Sequence, residues 1–303
     1  MRIFVVGSEG QIARSLKEAV SGVDGIVARF STRPEVDLTR PETVLPAVRA
    51  FEPDLVVNPA AYTAVDRAES EPELALSINR DGAAAVAEAA AALGAPVIHF
   101  STDYVFDGKK SEAYVERDPP SPQCVYGRSK LEGERLVAAA APRNVILRTA
   151  WVYAPFGRNF VRTMLRLAVD RDLRVVNDQV GCPTYAPDIA ATCLAIGRRL
   201  AETGWRENYA GVTHLAGPNA MSWCGFAEAI MAGAAARGAR SAAVEAITTA
   251  DYPTPARRPA NSRLATERLA SVFGMSLPPF GESLSRCLDR LIGPEASRLE
   301  RSH

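Results

Sequence analysis

The opening of the chain does most to limit what it can fold into. Arg2-Ile3-Phe4-Val5-Val6 is short, apolar and β-branched, the pattern of a strand buried on both faces. Gly7-Ser8-Glu9-Gly10-Gln11-Ile12-Ala13 follows, and apolar residues then recur at helical spacing: Ile12, Leu16, Ala19, Val20. Strand, glycine-rich turn and helix form the context that a dinucleotide fingerprint requires. Gly7 permits the tight turn, and Gly10 lets backbone N–H groups approach a pyrophosphate at the helix N-terminus. The spacing is G-x-x-G-x-x-A, with Ala13 small enough for close helix–strand packing. An ordinary βα turn also satisfies it, because two glycines are a modest signal.

The pattern repeats. Strand-like runs occupy 3–6, 25–30, 55–58, 97–101 and 145–148, with helical patterns between them, notably 73–93, ended by Gly94 and Pro96. This alternation predicts an α/β fold, a doubly wound, Rossmann-like parallel sheet. The Ala-rich stretch 83–92 reads as a helix that approaches a sheet closely. After Trp151 the pattern loosens and proline increases. Helices are expected at 159–169, 188–201, 221–237 and 282–291, a late strand at 211–215 and a loop at 253–259. A second, smaller substrate lobe follows from these insertions. The expected division is 1–150 plus about 184–216 for the dinucleotide unit, and 151–183 plus about 217–303 for the lobe, with a frayed polar tail at 295–303.

Chemistry concentrates in two segments. Tyr126 and Lys130 are four residues apart and share one helical face. A phenol ionises near pH ~10, and an ammonium beside it is expected to lower that value, so that the pair passes a proton to or from a substrate oxygen. Taken alone, the spacing equally suits a surface helix. Ser101-Thr102-Asp103 closes the strand at 97–101, at the edge where open parallel sheets bind ligands. Thr102 is placed to share a substrate oxygen with Tyr126, although a Ser/Thr turn would look the same.

The formal net charge of +0 gives no electrostatic case for nucleic acid or a membrane surface. The first residues form a strand pattern and no long apolar run follows, so a cytoplasmic location is expected. Cys124, Cys182, Cys193, Cys224 and Cys287 show no zinc spacing and read as free thiols. His99, His214 and His303 are too dispersed for a metal site; His99 and His214 lie in strand patterns and read as satisfied core histidines.

Taken together, these residues resemble the extended short-chain dehydrogenase/reductase family, and within it the branch that reduces dTDP-4-dehydrorhamnose. The resemblance runs from Arg2 to about Leu288. It rests on Gly7-x-x-Gly10-Gln11-Ile12, Asn58 to Asp66, Ser101 to Phe106, Tyr126-Gly127-x-Ser129-Lys130-x-x-Gly133-Glu134, Arg148 to Tyr153, Asp178-Gln179-x-Gly181-x-Pro183-Thr184 and Arg258-Pro259-x-Asn261-Ser262-x-Leu264. The 58–66, 178–184 and 258–264 segments are those specific to the rhamnose branch.

The resemblance implies hydride transfer from NADPH, with NADH also accepted, to the 4-keto carbon of a nucleotide-linked 4-dehydro-6-deoxysugar. It implies Tyr126, Lys130 and Thr102 as catalytic residues, with Thr102, Asp103 and Trp151 against the sugar. It implies cofactor contacts from Gly7, Gly10, Gln11, Ile12, Arg33, Asp37, Leu38, Ala60, Ala61, Tyr62 and Thr63, besides Tyr126 and Lys130. The nucleotide sugar is the expected partner, and the protein a monomer or weak homodimer. Some family members carry a magnesium-linked dimer contact through surface glutamates; Ser15 and Pro187 stand at those places, so no metal site is expected.

Two alternatives remain. A sugar-nucleotide epimerase or dehydratase shares the fold, but a dehydratase is expected to carry carboxylates beside the active Thr, and Tyr104 follows Asp103. A non-catalytic nucleotide-binding regulatory subunit is the other; the intact Thr102, Tyr126 and Lys130 weigh against it. Cofactor choice turns on the end of the second strand, Ala28-Arg29-Phe30-Ser31-Thr32-Arg33. No carboxylate occupies that tip, the nearest being Glu35 and Asp37. Arg29 or Arg33 is therefore expected to pair with a 2′-phosphate, with help from Ser31 and Thr32.

Overall fold

The computed structural model describes residues 1–293; the expected polar tail and the last part of the expected substrate lobe lie outside the described residues. The first half runs β1 (Arg2–Val6), α1 (Gln11–Val20), β2 (Val27–Ser31), α2 (Val44–Phe51) and β3 (Leu55–Asn58). Then come α3 (Val65–Ala68), α4 (Pro72–Leu76), a π-helical turn over Ser77–Gly82, α5 (Ala83–Ala92), β4 (Val97–Thr102), α6 (Val125–Ala140) and β5 (Asn144–Thr149). The second half contains β6 (Val152–Tyr153), α7 (Phe160–Leu167), β7 (Leu173–Val176), β8 (Val180–Gly181), β9 (Thr184–Tyr185), α8 (Ala186–Thr203) and β10 (Gly211–His214). It closes with β11 (Met221–Ser222), α9 (Trp223–Ala235), β12 (Val244–Ile247), β13 (Asn261–Ser262), α10 (Glu267–Phe273) and α11 (Phe280–Ile292).

Six strands form one parallel sheet in the order β10-β5-β4-β3-β1-β2. β3, β4 and β5 are buried at every position, as expected of strands covered on both faces. One face carries Leu16, Ile189, Cys193 and Phe273, from α1, α8 and α10. The other carries Val48, Val86, Ala87 and Val137, from α2, α5 and α6. The Ala-rich helix is thus wedged between neighbours that longer side chains would push away. Chain direction across the sheet reverses between β1 and β3, and a crevice opens there at the carboxyl ends of the strands.

The helix expected at 73–93 is interrupted by the π-helical turn, where one extra residue per turn re-aims Asn79 inward. The helix expected from Met221 begins at Trp223, because Met221–Ser222 pairs with β8 first. A separate apolar cluster, including Tyr153, Val161, Leu173, Phe226, Ile230, Phe280 and Leu288, gives the C-terminal insertions their own core. Short pairings tie it together: β7 with β12, β8 with β11 and β13, and β6 with β9.

Candidate active site

A cleft of about 1000 Å³ follows the carboxyl edge of the sheet from the glycine turn to the mouth of the second lobe. Gly7 adopts φ +90°, a left-handed conformation that lets the backbone turn directly out of β1. Gly10 caps α1 without side-chain cover, so the helix N-terminus faces the cleft. Gln11, Ile12, Arg33, Asp37, Leu38, Ala60, Ala61 and Thr63 also line it. Tyr62 does not: its phenol turns to Glu71, and its backbone N–H and C=O pair with the Asn79 side chain at 2.8 and 3.1 Å.

The tip of β2 differs from expectation. Glu35 folds back on it, accepting a hydrogen bond from Ser31 Oγ at 2.6 Å and pairing with Arg29. A carboxylate therefore does occupy the strand end, and Arg29 is engaged before any ligand arrives. Arg33 and Thr32 line the cleft beside Ser31. The Asp37 carboxylate accepts from the Thr39 N–H and hydroxyl at 3.0 and 2.8 Å, which holds it below the usual carboxylate range.

At the other end, Thr102, Asp103, Tyr126, Lys130 and Trp151 all line the same cleft. Helix α6 carries Tyr126 and Lys130 on one buried face, beside β4. It lies so close to the π-helical turn that a Cβ on Gly133 would stand 2.0 Å from the Asn79 carbonyl oxygen. Ser129, on the same face, donates to the Tyr126 carbonyl and accepts from Asn79 Nδ2 at 2.9 Å. Glu134 accepts two hydrogen bonds from Arg148 on β5, at 2.8 and 2.6 Å, and a third from Ser101.

The electrostatics correct one expectation. Tyr126 is pushed above the ordinary phenol range, chiefly by burial; the Thr102 hydroxyl pulls it down, and Asp103 and Tyr104 add to the rise. Lys130 is absent from the main influences on it. Its Nζ donates to the Phe100 carbonyl at 2.7 Å and meets His99 Nε2 at 3.3 Å, and burial pushes its pKa down to about 8. Its nitrogen is engaged by the strand carbonyl and His99 and makes no hydrogen bond to the phenol.

Asp103 is also perturbed. Burial raises its carboxyl to about 6, opposed by the Thr102 hydroxyl, which donates to Oδ1 at 3.0 Å. Its Oδ2 has no partner, and neither do Gln11 Oε1 and Thr149 Oγ1 in the same cleft. Unpartnered buried oxygens call for hydroxyl or amide donors on a ligand, and the helix N-terminus at the other end suits an anionic group; together they fit a polar ligand of dinucleotide size. Trp151, at φ 49°, lies parallel to Trp223 with ring centroids 3.5 Å apart, so one indole both lines the cleft and packs on the second lobe.

Sequence reasoning missed three groups. Asn79 clasps the 62 backbone and Ser129, but lies in a helical run with nothing to distinguish it. Glu134 and Arg148 stand in separate motifs with nothing to show that they meet, yet form a pair only 4% exposed on each side. Asp66 and Arg258 stand 192 residues apart in the chain and pair at 2.9 Å, with Arg258 also reaching the Tyr104 hydroxyl at 3.3 Å. The histidine expectation holds in part: His99 is bonded at both nitrogens, whereas His214 Nδ1 meets the Ala265 carbonyl and its buried Nε2 lacks a partner. All five cysteines are free and buried.

The family model described as "RmlD substrate binding domain" matches residues 1–292. A dTDP-4-dehydrorhamnose reductase of Sinorhizobium fredii is 49% identical over 293 residues, covering 96% of this chain and 98% of the relative. The crystal structure of a dTDP-4-dehydrorhamnose reductase from Clostridium acetobutylicum superposes with a TM-score of 0.88 at 36% identity, covering 96% of this chain and 99% of that one. The same enzyme from Bacillus anthracis, solved in complex with NADP, gives 0.86 at 32% identity, over 95% of this chain and 98% of the other. Matched over nearly its whole described length in sequence and in fold, the chain belongs to the dTDP-4-dehydrorhamnose reductase family.

Proposed function

We propose that this protein reduces the 4-keto group of dTDP-4-dehydro-β-L-rhamnose to give dTDP-L-rhamnose, with NADPH as hydride donor and NADH also accepted. The observation that carries this reading is the convergence of Thr102, Tyr126 and Lys130 at one end of a cleft whose other end is the glycine turn. The cofactor, when bound, supplies the hydride. The chain's own residues bind, orient and protonate. The α1 N-terminus and the Gly7–Gln11 backbone receive the pyrophosphate, and Arg33 and Thr32 meet the adenosine ribose with its 2′-phosphate. Tyr126, un-ionised because it is buried, gives its proton to the oxygen that becomes the C4 hydroxyl. Thr102 donates to the same oxygen, and Asp103 and Trp151 hold the sugar. Lys130, which lines the same cleft, would bind the nicotinamide ribose.

The division into a cofactor unit, 1–150 plus about 184–216, and a substrate lobe formed by the remaining insertions belongs to the same proposal. So do a cytoplasmic location and a monomer or weak homodimer. Among the described residues no helix is long and apolar enough to cross a membrane. The places where relatives carry glutamates offer a metal little: Ser15 is buried and donates to the Gln11 carbonyl at 2.8 Å, and Pro187 sits in the first turn of α8.

The test is turnover of purified protein with NADPH and the 4-keto sugar nucleotide. Cofactor oxidation coupled to formation of the 4-hydroxy sugar supports the reductase. A new sugar without net cofactor consumption indicates an epimerase or dehydratase, and binding without turnover a regulatory subunit.

A further inference from the structure

Among the described residues three cations line the cleft: Arg33 beyond the end of β2, Lys130 on α6, and Arg158 in the turn between β6 and α7. A dinucleotide carries its negative charge on the diphosphate bridge and, in NADPH, also on the 2′-phosphate. Arg33 stands at the β2 end, and the Lys130 nitrogen is held by the Phe100 carbonyl at 2.7 Å. At the glycine turn the N-terminus of α1 attracts an anion, but Glu9 in that turn brings a negative charge of its own, its carboxylate accepting from Ser8 Oγ at 2.9 Å. A diphosphate placed there calls for a cation as well as a helix end. Arg158 is the one that the fold brings to this place.

Its position follows from how the turn is built. Asn159, which is buried, caps α7: its Oδ1 accepts the Arg162 N–H at 3.2 Å, and its Nδ2 donates to the Ala154 and Phe156 carbonyls at 2.8 and 3.1 Å. The guanidinium of Arg14, on α1, lies 4.3 Å from the centre of the buried Phe156 ring. Gly157, at φ +70°, comes so close to α1 that a Cβ would stand 3.3 Å from Gln11 Cγ. Gln11 Nε2 in turn donates to the Val152 carbonyl at 3.3 Å. The turn that leads into the second lobe is thus fastened to the first residue of α1, and Arg158 follows Gly157 as its exposed tip. Neighbouring arginines are committed elsewhere: Arg14 to Phe156, Arg162 to the Gly157 carbonyl at 2.8 Å, Arg290 to Glu18 at 2.8 and 2.9 Å. Among the described residues Arg158 makes no salt bridge.

We propose that Arg158 binds the diphosphate bridge of the dinucleotide together with the N-terminus of α1, so that both lobes hold the cofactor. The inference rests on the cofactor site of the proposed function and not on which sugar is reduced there. A guanidinium matches two phosphate oxygens at once, which suits it to this anion better than an ammonium. NADPH and NADH share the bridge, so Arg158 adds to the affinity for both and discriminates between neither. That separates it from Arg33, whose proposed partner only NADPH carries. The nucleotide sugar also contains a diphosphate. The contact of Gly157 with Gln11, at the glycine turn, favours the cofactor's.

The test is calorimetric titration of wild type, Arg158→Gln and Arg158→Lys with NADPH, NADH, dTDP and 2′-AMP. Arg158→Gln should weaken NADPH and NADH alike, by about tenfold or more, as for loss of a charge-assisted contact. Arg158→Lys keeps the charge without the fork and should lose less. Affinity for 2′-AMP, which has the 2′-phosphate without the bridge, and for dTDP should stay within about twofold. The melting temperature should hold, because the side chain is exposed. Unchanged cofactor affinity in Arg158→Gln overturns the proposal. So does a loss confined to NADPH, which would place Arg158 at the 2′-phosphate, or a loss confined to dTDP, which would place it at the nucleotide sugar. An equal loss for all four ligands overturns it too, since a diffuse field would then explain the effect. Binding is measured without the sugar substrate, so absent turnover with this binding pattern intact counts against the reductase reading alone.

Discussion

Burial, more than charge, sets the behaviour of the reacting residues. As the proposed proton donor, Tyr126 must remain a phenol, and its desolvated setting keeps it one. Tyr126→Phe keeps the ring and removes the proton; steady-state turnover should fall on the order of 10²–10⁴-fold while the NADPH dissociation constant stays within about twofold. Near-normal turnover would remove Tyr126 from the chemistry. Asp103 carries a cost of the same kind. Its carboxyl is raised from 3.8 to about 6, so the folded state holds a proton that the unfolded state releases. Its contribution to stability is full below about pH 4 and is lost as pH rises through about 6. Asp103→Asn removes that loss. Its melting temperature relative to wild type should rise between pH 4 and 6 and level off above, by on the order of 2–3 kcal/mol in stability. A difference that does not change with pH would contradict the buried-carboxyl account.

At the scale of elements, β2 ends in a contest between Glu35 and a ligand for Ser31 and Arg29. Among the described residues Arg33 makes no salt bridge, though Asp37 lies near enough to feel its charge. Arg33→Ala should weaken NADPH binding about tenfold and NADH binding little, as expected for loss of one charge-assisted contact to a phosphate. Arg29→Ala should do less, since Glu35 already engages that guanidinium. Fluorescence titration with both cofactors checks this, and equal losses for NADPH and NADH would argue against a 2′-phosphate contact. The strands, the glycine turn and the helical face of Tyr126 and Lys130 were legible in the sequence because each is a local pattern with a fixed period. The Glu35 fold-back was not, since it depends on how a four-residue turn closes. Nor was the direction of Lys130. The i, i+4 spacing says which helical face a side chain occupies, and only the packing of α6 beside β4 brings His99 to its nitrogen. Asn79 escaped notice because a π-helical turn inside a regular apolar repeat leaves no mark on the pattern.

In the whole molecule, two cores meet along one cleft. Trp151 follows β5 of the large sheet, yet its ring rests on Trp223 of the smaller lobe. An indole placed so both lines the cleft and packs the lobe. Trp151→Ala should raise the KM for the sugar nucleotide at least about tenfold while lowering the melting temperature by only a few degrees. A large melting-temperature loss with KM intact would make Trp151 a packing residue. The Asp66–Arg258 pair likewise joins the segment after β3 to the C-terminal insertions, linking segments that the sequence marks as specific to the family.

The reaction proposed for this cleft is reduction of a 4-keto sugar nucleotide. Its most direct measurement is the stoichiometry of NADPH oxidation against product when purified protein is mixed with dTDP-4-dehydro-β-L-rhamnose. One NADPH consumed per dTDP-L-rhamnose formed is the predicted result. Tight cofactor binding with no oxidation, or conversion of the sugar with the NADPH signal unchanged, would contradict it.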